Sequence, residues 1–369
     1  MPGFILTFLL AITLQLQPAL VEDKPCDRVE KIDSIVHSFH SEGKFNGVIL
    51  LAQNGKILYE GAFGKANFEW DVPHTLDSKF RIASITKTYT AALTLLFIEQ
   101  GKLGFNDVIT DHLSDYPADT GSRITIENLL TQTSGIPDYI SLPGFLETKS
   151  QIEHDIHEFP GYFKNLELNF DPGSDWDYGN SEYYLLGLII EKITGLTYEE
   201  AINKYILEPS GLEHTGFFKA DGVIEKFSGG YVRTESGITI APIIHPSVCY
   251  SAGMMYSTAP DMHKFLKALY RNNSILSKDF TDKMTTQRIA DYGYGVYTGY
   301  QVINGVRHPA FLHMGEIPGY NSQVSYFPDN DFTLIIMDNT RQCPSRLYFA
   351  ILDFLPGFSS QEVDELAGS

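Results

Sequence analysis

Residues 81–88 read Arg81-Ile82-Ala83-Ser84-Ile85-Thr86-Lys87-Thr88, and at this point the chain changes its structural habit. Before it, residues 47–52 are apolar, Asn54-Gly55 is a tight-turn pair and residues 56–60 return, which predicts a β-hairpin. After it, residues 85–100 form a good helical pattern that Gly101 closes. Further on, residues 126–131, 182–194, 197–205 and 262–270 keep spacings of three and four, with Gly195 in the usual place at a helix end. Strand patterns return only late, at 296–302, 308–313, 323–327 and 333–337. The last two flank the turn Pro328-Asp329-Asn330-Asp331. A helical stripe of Val29, Ile32, Ile35, Val36 and Phe39 opens the chain, and residues 346–355 read as a final helix. The pattern predicts a mixed α/β (α+β) protein whose sheet is assembled from both ends. The sheet lobe takes about 22–85 and 285–369, a helical lobe takes about 86–284, and a cleft lies between them.

Composition agrees with a folded domain and narrows its partners. Of 369 residues, 43% are apolar and 20% charged, which excludes disorder and a polytopic membrane protein. Acidic residues outnumber basic ones 46 to 27, so a formal charge of −19 repels phosphate backbones, and no nucleic-acid partner is expected. Residues 1–21 carry no charged side chain, and their apolar run, 4–14, is shorter than a membrane span. That reads as a signal peptide, with secreted or periplasmic localisation, a mature chain of 22–369 and no stable membrane insertion. Met1-Pro2-Gly3 departs from the usual pattern, since only the terminal amine supplies positive charge. Cys26, Cys249 and Cys343 match no zinc or redox spacing. A Cys26–Cys343 disulfide would tie the chain ends together; three unpaired thiols are the plainer reading.

Three short pieces can carry chemistry, while Gly-x-Ser-x-Gly, Walker A and His-Glu-x-x-His are missing. His154 and His157 stand three apart, read as a helix-face pair without a clear third metal ligand. Ser84 and Lys87 are one helical turn apart at a helix start, where a buried lysine can remove the serine proton. Helix N-terminal amides there favour negative charge on a reacting oxygen. The same spacing recurs by accident at Ser41 and Lys44, and a serine at 84 could simply cap the helix. Tyr178-Gly179-Asn180 offers a phenol to relay a proton and an amide to hold the lysine or substrate. His313-Met314-Gly315 ends a predicted strand, where glycine lets substrate approach the backbone. Read singly, the last two pieces could equally be a packed aromatic beside a helix cap and an ordinary packed histidine.

In this order the three pieces resemble the serine β-lactamase and penicillin-binding superfamily. The branch is that of class C β-lactamases, D-alanyl-D-alanine carboxypeptidases and related esterases. Residues 129–139, 184–195, 208–212 and 251–258 add to the resemblance, which covers about 30–355. It implies a β-lactamase/transpeptidase-like fold, with an antiparallel sheet flanked by terminal helices beside an all-helical lobe. It also implies an acyl-enzyme on Ser84, with Lys87 and Tyr178 moving protons and Asn180, His313 and Gly315 at the substrate. The backbone N–H groups of Ser84 and Glu316 would form the oxyanion hole, with no metal or organic cofactor. Two departures stand out: Gly179 replaces a common serine or alanine, and His313 replaces the lysine of class C β-lactamases. If His313 meets a substrate carboxylate, binding should strengthen as pH falls through an imidazole pKa near 6.5. The resemblance favours D-amino-acid peptides or peptidoglycan stems as substrates, then small esters, then β-lactams. A penicillin-binding sensor that never turns over is the alternative of a different class. Sequence leaves the oligomeric state open.

Overall fold

Six strands decide the architecture, and those nearest the core are buried along almost their whole length. The computed structural model describes residues 25–342 and 344–358. In chain order the strands are β1 (Gly47–Gln53), β2 (Lys56–Phe63), β3 (Tyr297–Ile303), β4 (Val306–Ile317), β5 (Tyr320–Phe327) and β6 (Phe332–Asp338). They form one antiparallel sheet in the order β3-β4-β5-β6-β1-β2. The two ends of the chain therefore meet at its centre, where Gly47 opposes Asp338 and Gln53 opposes Phe332.

β1 and β6 are buried on both faces, so each contributes to two cores. Ile49, Leu51, Leu334 and Ile336 face the helices α1 (Pro25–Ser41) and α6 (Pro344–Leu352), through Ile32, Val36, Leu347 and Ile351. Val48, Leu50, Ile335 and Met337 face the larger core. That core also takes in α2 (Thr86–Glu99), α3 (Ser181–Thr194), α4 (Pro246–Gly253) and α5 (Ala259–Leu266). α2 is buried around most of its circumference, with Thr86, Thr88, Thr90 and Thr94 among its buried residues.

The second lobe departs from the all-helical expectation. Phe80–Arg81, Met255–Ser257 and Gly216–Phe217 make a small three-stranded sheet, and Tyr231–Thr234 pairs with Gly237–Ile240 as a hairpin. Strands of two to four residues are too short to show a period of two in sequence. The residues around His154 and His157 form turns, not a helix face: His154 Nε2 meets the Lys149 carbonyl and His157 faces Glu191. β4 also runs past its predicted end at His313, on to Ile317. Among the described residues no helix is long and apolar enough to cross a membrane. The expected signal peptide and Cys343 lie outside the described residues, so the Cys26–Cys343 pairing does too.

Candidate active site

The small sheet delivers the chain to the site. Ile82 donates its N–H to the Met255 carbonyl at 3.0 Å, and a 3₁₀ turn, Ala83–Ile85, then leads into α2. Ala83 takes φ +44°, an unusual conformation for a residue with a Cβ, directly before Ser84. Ser84 caps nothing, since no side chain accepts a hydrogen bond at either helix start. Its side chain is partly exposed and lines a cavity of about 400 Å³, together with Asn180, Glu316 and Arg341. Much of the remaining wall is apolar, from Ile140, Leu146, Ile244, Val248 and Ile317. A larger cavity, about 540 Å³, opens elsewhere on the helical lobe beside His157, Lys164 and Glu191, away from Ser84.

Behind Ser84, Lys87 is fully buried. Its Nζ lies 3.2 Å from Ser84 Oγ, 2.8 Å from Asn180 Oδ1 and 3.2 Å from the Ala252 carbonyl. Three acceptors thus surround a group with three donors. Burial lowers the Lys87 pKa to about 8, against the opposing pull of Asp138, Cys249 and Glu182. The Ala252 carbonyl lies two residues after a sharp break in α4, where Tyr250 takes φ +37° and ψ −134°. Backbone strain of this kind costs about 1–3 kcal/mol and persists only where the surroundings enforce it.

The Tyr178 ring sits beside Lys87, with Nζ 4.8 Å from its centroid. Burial raises the Tyr178 pKa well above the usual phenol value, and a hydrogen bond with Ser84 opposes that rise. Gly179 is clamped by Gln132, which accepts from its N–H at 3.0 Å and donates to its carbonyl at 3.1 Å. A Cβ on Gly179 would come within 2.5 Å of Glu182 Oε2. Glu182 is buried, accepts from Ser134 Oγ at 2.8 Å and has its pKa raised to about 8 by burial. The glycine in the second piece is therefore matched to a buried carboxyl one helical turn on.

β4 closes the other side of the site. Its ladder with β3 extends only to Leu312, opposite Tyr297, and residues 313–317 pair with β5 alone. A Cβ on Gly315 would sit 2.0 Å from the Ile82 carbonyl, so glycine is needed for this approach. Glu316 and Ser84 line the same cavity, and Glu316 Oε1 accepts from Arg341 Nε and Nη2 at 3.1 and 3.0 Å. His313 corrects the expectation. It is 2% exposed, lies among the rings of Tyr178, Tyr292 and Tyr297, and is not on the cavity wall. Burial, with the Lys87 charge adding to it, lowers its pKa to about 3. A cationic contact from His313 to a substrate carboxylate at neutral pH does not fit this geometry. Arg341 is the cation on the cavity wall.

Residues 32–350 match the family Beta-lactamase. The chain belongs to that family. This beta-lactamase family member is a serine hydrolase, and its sheet and helices have the β-lactamase/transpeptidase-like arrangement. It is 31% identical over 317 residues to PbpX of Bacillus subtilis, covering 86% of this chain and 75% of that one. A penicillin binding protein from Bacillus halodurans superposes with a TM-score of 0.76 at 28% identity, covering 86% of this chain and 98% of the other. A D-amino acid amidase from Ochrobactrum anthropi shares the fold, with a TM-score of 0.76 at 24% identity and coverage of 89% and 98%.

Two measurements test the geometry of this family member. With the His313 pKa lowered to about 3, the imidazole is neutral between pH 5 and 7, and a carboxylate-bearing and a neutral substrate should show parallel kcat/KM profiles there. A selective gain for the carboxylate substrate on acidification would contradict the buried, neutral imidazole. Gly179→Ala should lower acylation at least several-fold and stability by about 1–3 kcal/mol through overpacking. Adding Glu182→Ala should recover part of the acylation loss, read by labelling kinetics beside thermal melting.

Proposed function

We propose that the protein is an exported hydrolase that forms an acyl-enzyme on Ser84 and acts on D-amino-acid peptides or amides. Its activity would resemble that of a D-alanyl-D-alanine carboxypeptidase. The single observation that carries this reading is the buried Lys87, 3.2 Å from Ser84 Oγ with a pKa lowered to about 8. At neutral pH a useful fraction of such a lysine is unprotonated, which an exposed lysine near 10.4 would not offer. Ser84 Oγ attacks the carbonyl as its proton passes to Lys87. Tyr178 completes the path by delivering a proton to the leaving amine and taking back from Lys87 the proton that Ser84 gave up. The oxyanion is held by the N–H groups of Ser84 and Glu316, and water then releases the acyl group by the reverse proton route. Asn180 keeps Lys87 in register. The shared fold of the Ochrobactrum D-amino acid amidase makes a D-amino acid amide one substrate to try.

The apolar cavity wall supports a second reading, an esterase taking an apolar acyl group. Efficient turnover of β-lactams is less favoured, because His313 supplies no cation for their carboxylate. A stoichiometric penicillin-binding sensor would acylate and stop.

A fluorophosphonate or labelled penicillin should modify Ser84, and Ser84→Ala should abolish the label while melting stays unchanged. Label retained in that variant would sink the nucleophile assignment. A panel of a D-Ala-D-Ala peptide, a D-amino acid amide, a p-nitrophenyl ester and a cephalosporin then ranks the substrates. Export is tested separately: sequencing the N-terminus of protein from the native host should find a start within a few residues of Glu22. An intact Met1 in soluble cytoplasm would refute it.

A further inference from the structure

Asp138 stands where the loop before a short 3₁₀ turn, Tyr139–Ser141, passes under Asn180. Asn180 Nδ2 donates to both of its carboxylate oxygens, at 3.3 and 3.1 Å, and the Asn180 N–H donates to Oδ1 at 3.2 Å. With the NH₂ end of the amide turned towards Asp138, the other end, Oδ1, is left facing Lys87 Nζ at 2.8 Å. The chain of contacts runs from Asp138 through Asn180 to Lys87 and Ser84. An asparagine amide has two orientations that differ only in which end accepts, and here a carboxylate, an acceptor at both oxygens, selects one.

We infer that Asp138 is a positioning residue: it fixes the orientation of the Asn180 amide and, by its charge, the protonation of Lys87. This rests on the Ser84–Lys87 reading above. Asp138 has a plainer task too, since it accepts from the Ile140 N–H at 3.4 Å as the cap of its 3₁₀ turn. The two tasks separate on substitution. Asparagine caps as well as aspartate does, but its own NH₂ would face the NH₂ of Asn180 and turn that amide round. It also removes a negative charge that opposes the deprotonation of Lys87. The other groups facing Lys87 are Tyr178, Glu182 and Tyr183, Cys249 on α4 and His313 on β4, and the substitution leaves all of them in place.

The experiment is the rate of fluorophosphonate labelling of the full chain, phosphonylation of Ser84 with loss of fluoride, from pH 6 to 10, for wild type, Asp138→Asn and Asp138→Ser. Serine keeps a capping oxygen without the charge. In both variants the labelling plateau should fall about 10- to 100-fold, because the base is misplaced. Their acidic limb should also move to lower pH by about one pH unit, since a neighbouring anion no longer favours the ammonium. Thermal midpoints should stay near that of wild type. An unchanged rate, or a slower rate with the acidic limb unmoved, would overturn the proposal. So would failure of both variants to fold, which would make Asp138 a residue of the architecture. Failure of wild type itself to be labelled at Ser84 would instead count against the nucleophile assignment.

Discussion

Everything near the reaction centre depends on keeping one ammonium group out of water. Transfer of an unpaired lysine charge into a protein interior is expensive, and burial without partners would simply neutralise it. Lys87 instead finds three oxygen acceptors, contributed by Ser84, Asn180 and Ala252. They come from the α2 entry, the segment before α3 and the end of α4, so these parts of the helical lobe are fastened together at one nitrogen. The balance leaves the group easy to deprotonate but still held in place. The strained backbone at Tyr250 lies two residues before the carbonyl that the ammonium meets.

The sheet contributes by what it leaves unpaired. β3 stops pairing at Leu312, and the last residues of β4 then pair with β5 alone. A buried strand edge normally has to be covered, since its N–H and C=O groups have no water to turn to. Here Glu316 and Ile317 line the cavity, and Gly315 lets the Ile82 backbone approach the strand closely.

Much of this was legible in the residues. The long helices and the main hairpin announce themselves because their patterns run for two turns or for several alternations, and the three motif pieces preserved their order. What stayed hidden is the kind of information carried by contacts between distant residues. Nothing in Gln132 or Glu182 alone says that one clamps Gly179 and the other takes the room of its Cβ, 47 positions away in the first case. His313 was placed beside the site by its motif, but its solvent access depends on Tyr178, Tyr292 and Tyr297, which come from two separate segments. The short strands of the second lobe were hidden for a different reason: they are positioned by pairing, with too few residues to carry a pattern of their own.

The pairing of β1 with β6 has a consequence for how the chain comes to be folded. Two strands near opposite ends of the sequence are neighbours at the middle of the sheet, so the contacts that complete it span almost the whole chain. Closing so long a loop is entropically costly before any contact repays it, which makes sheets of this connectivity slow to form. During synthesis the hairpin of β1 and β2 emerges early and waits with one side of β1 unsatisfied, until the last strand arrives. Such an edge invites pairing with other chains, and the span between β1 and β6 defines a window in which the newborn protein needs protection from its own copies.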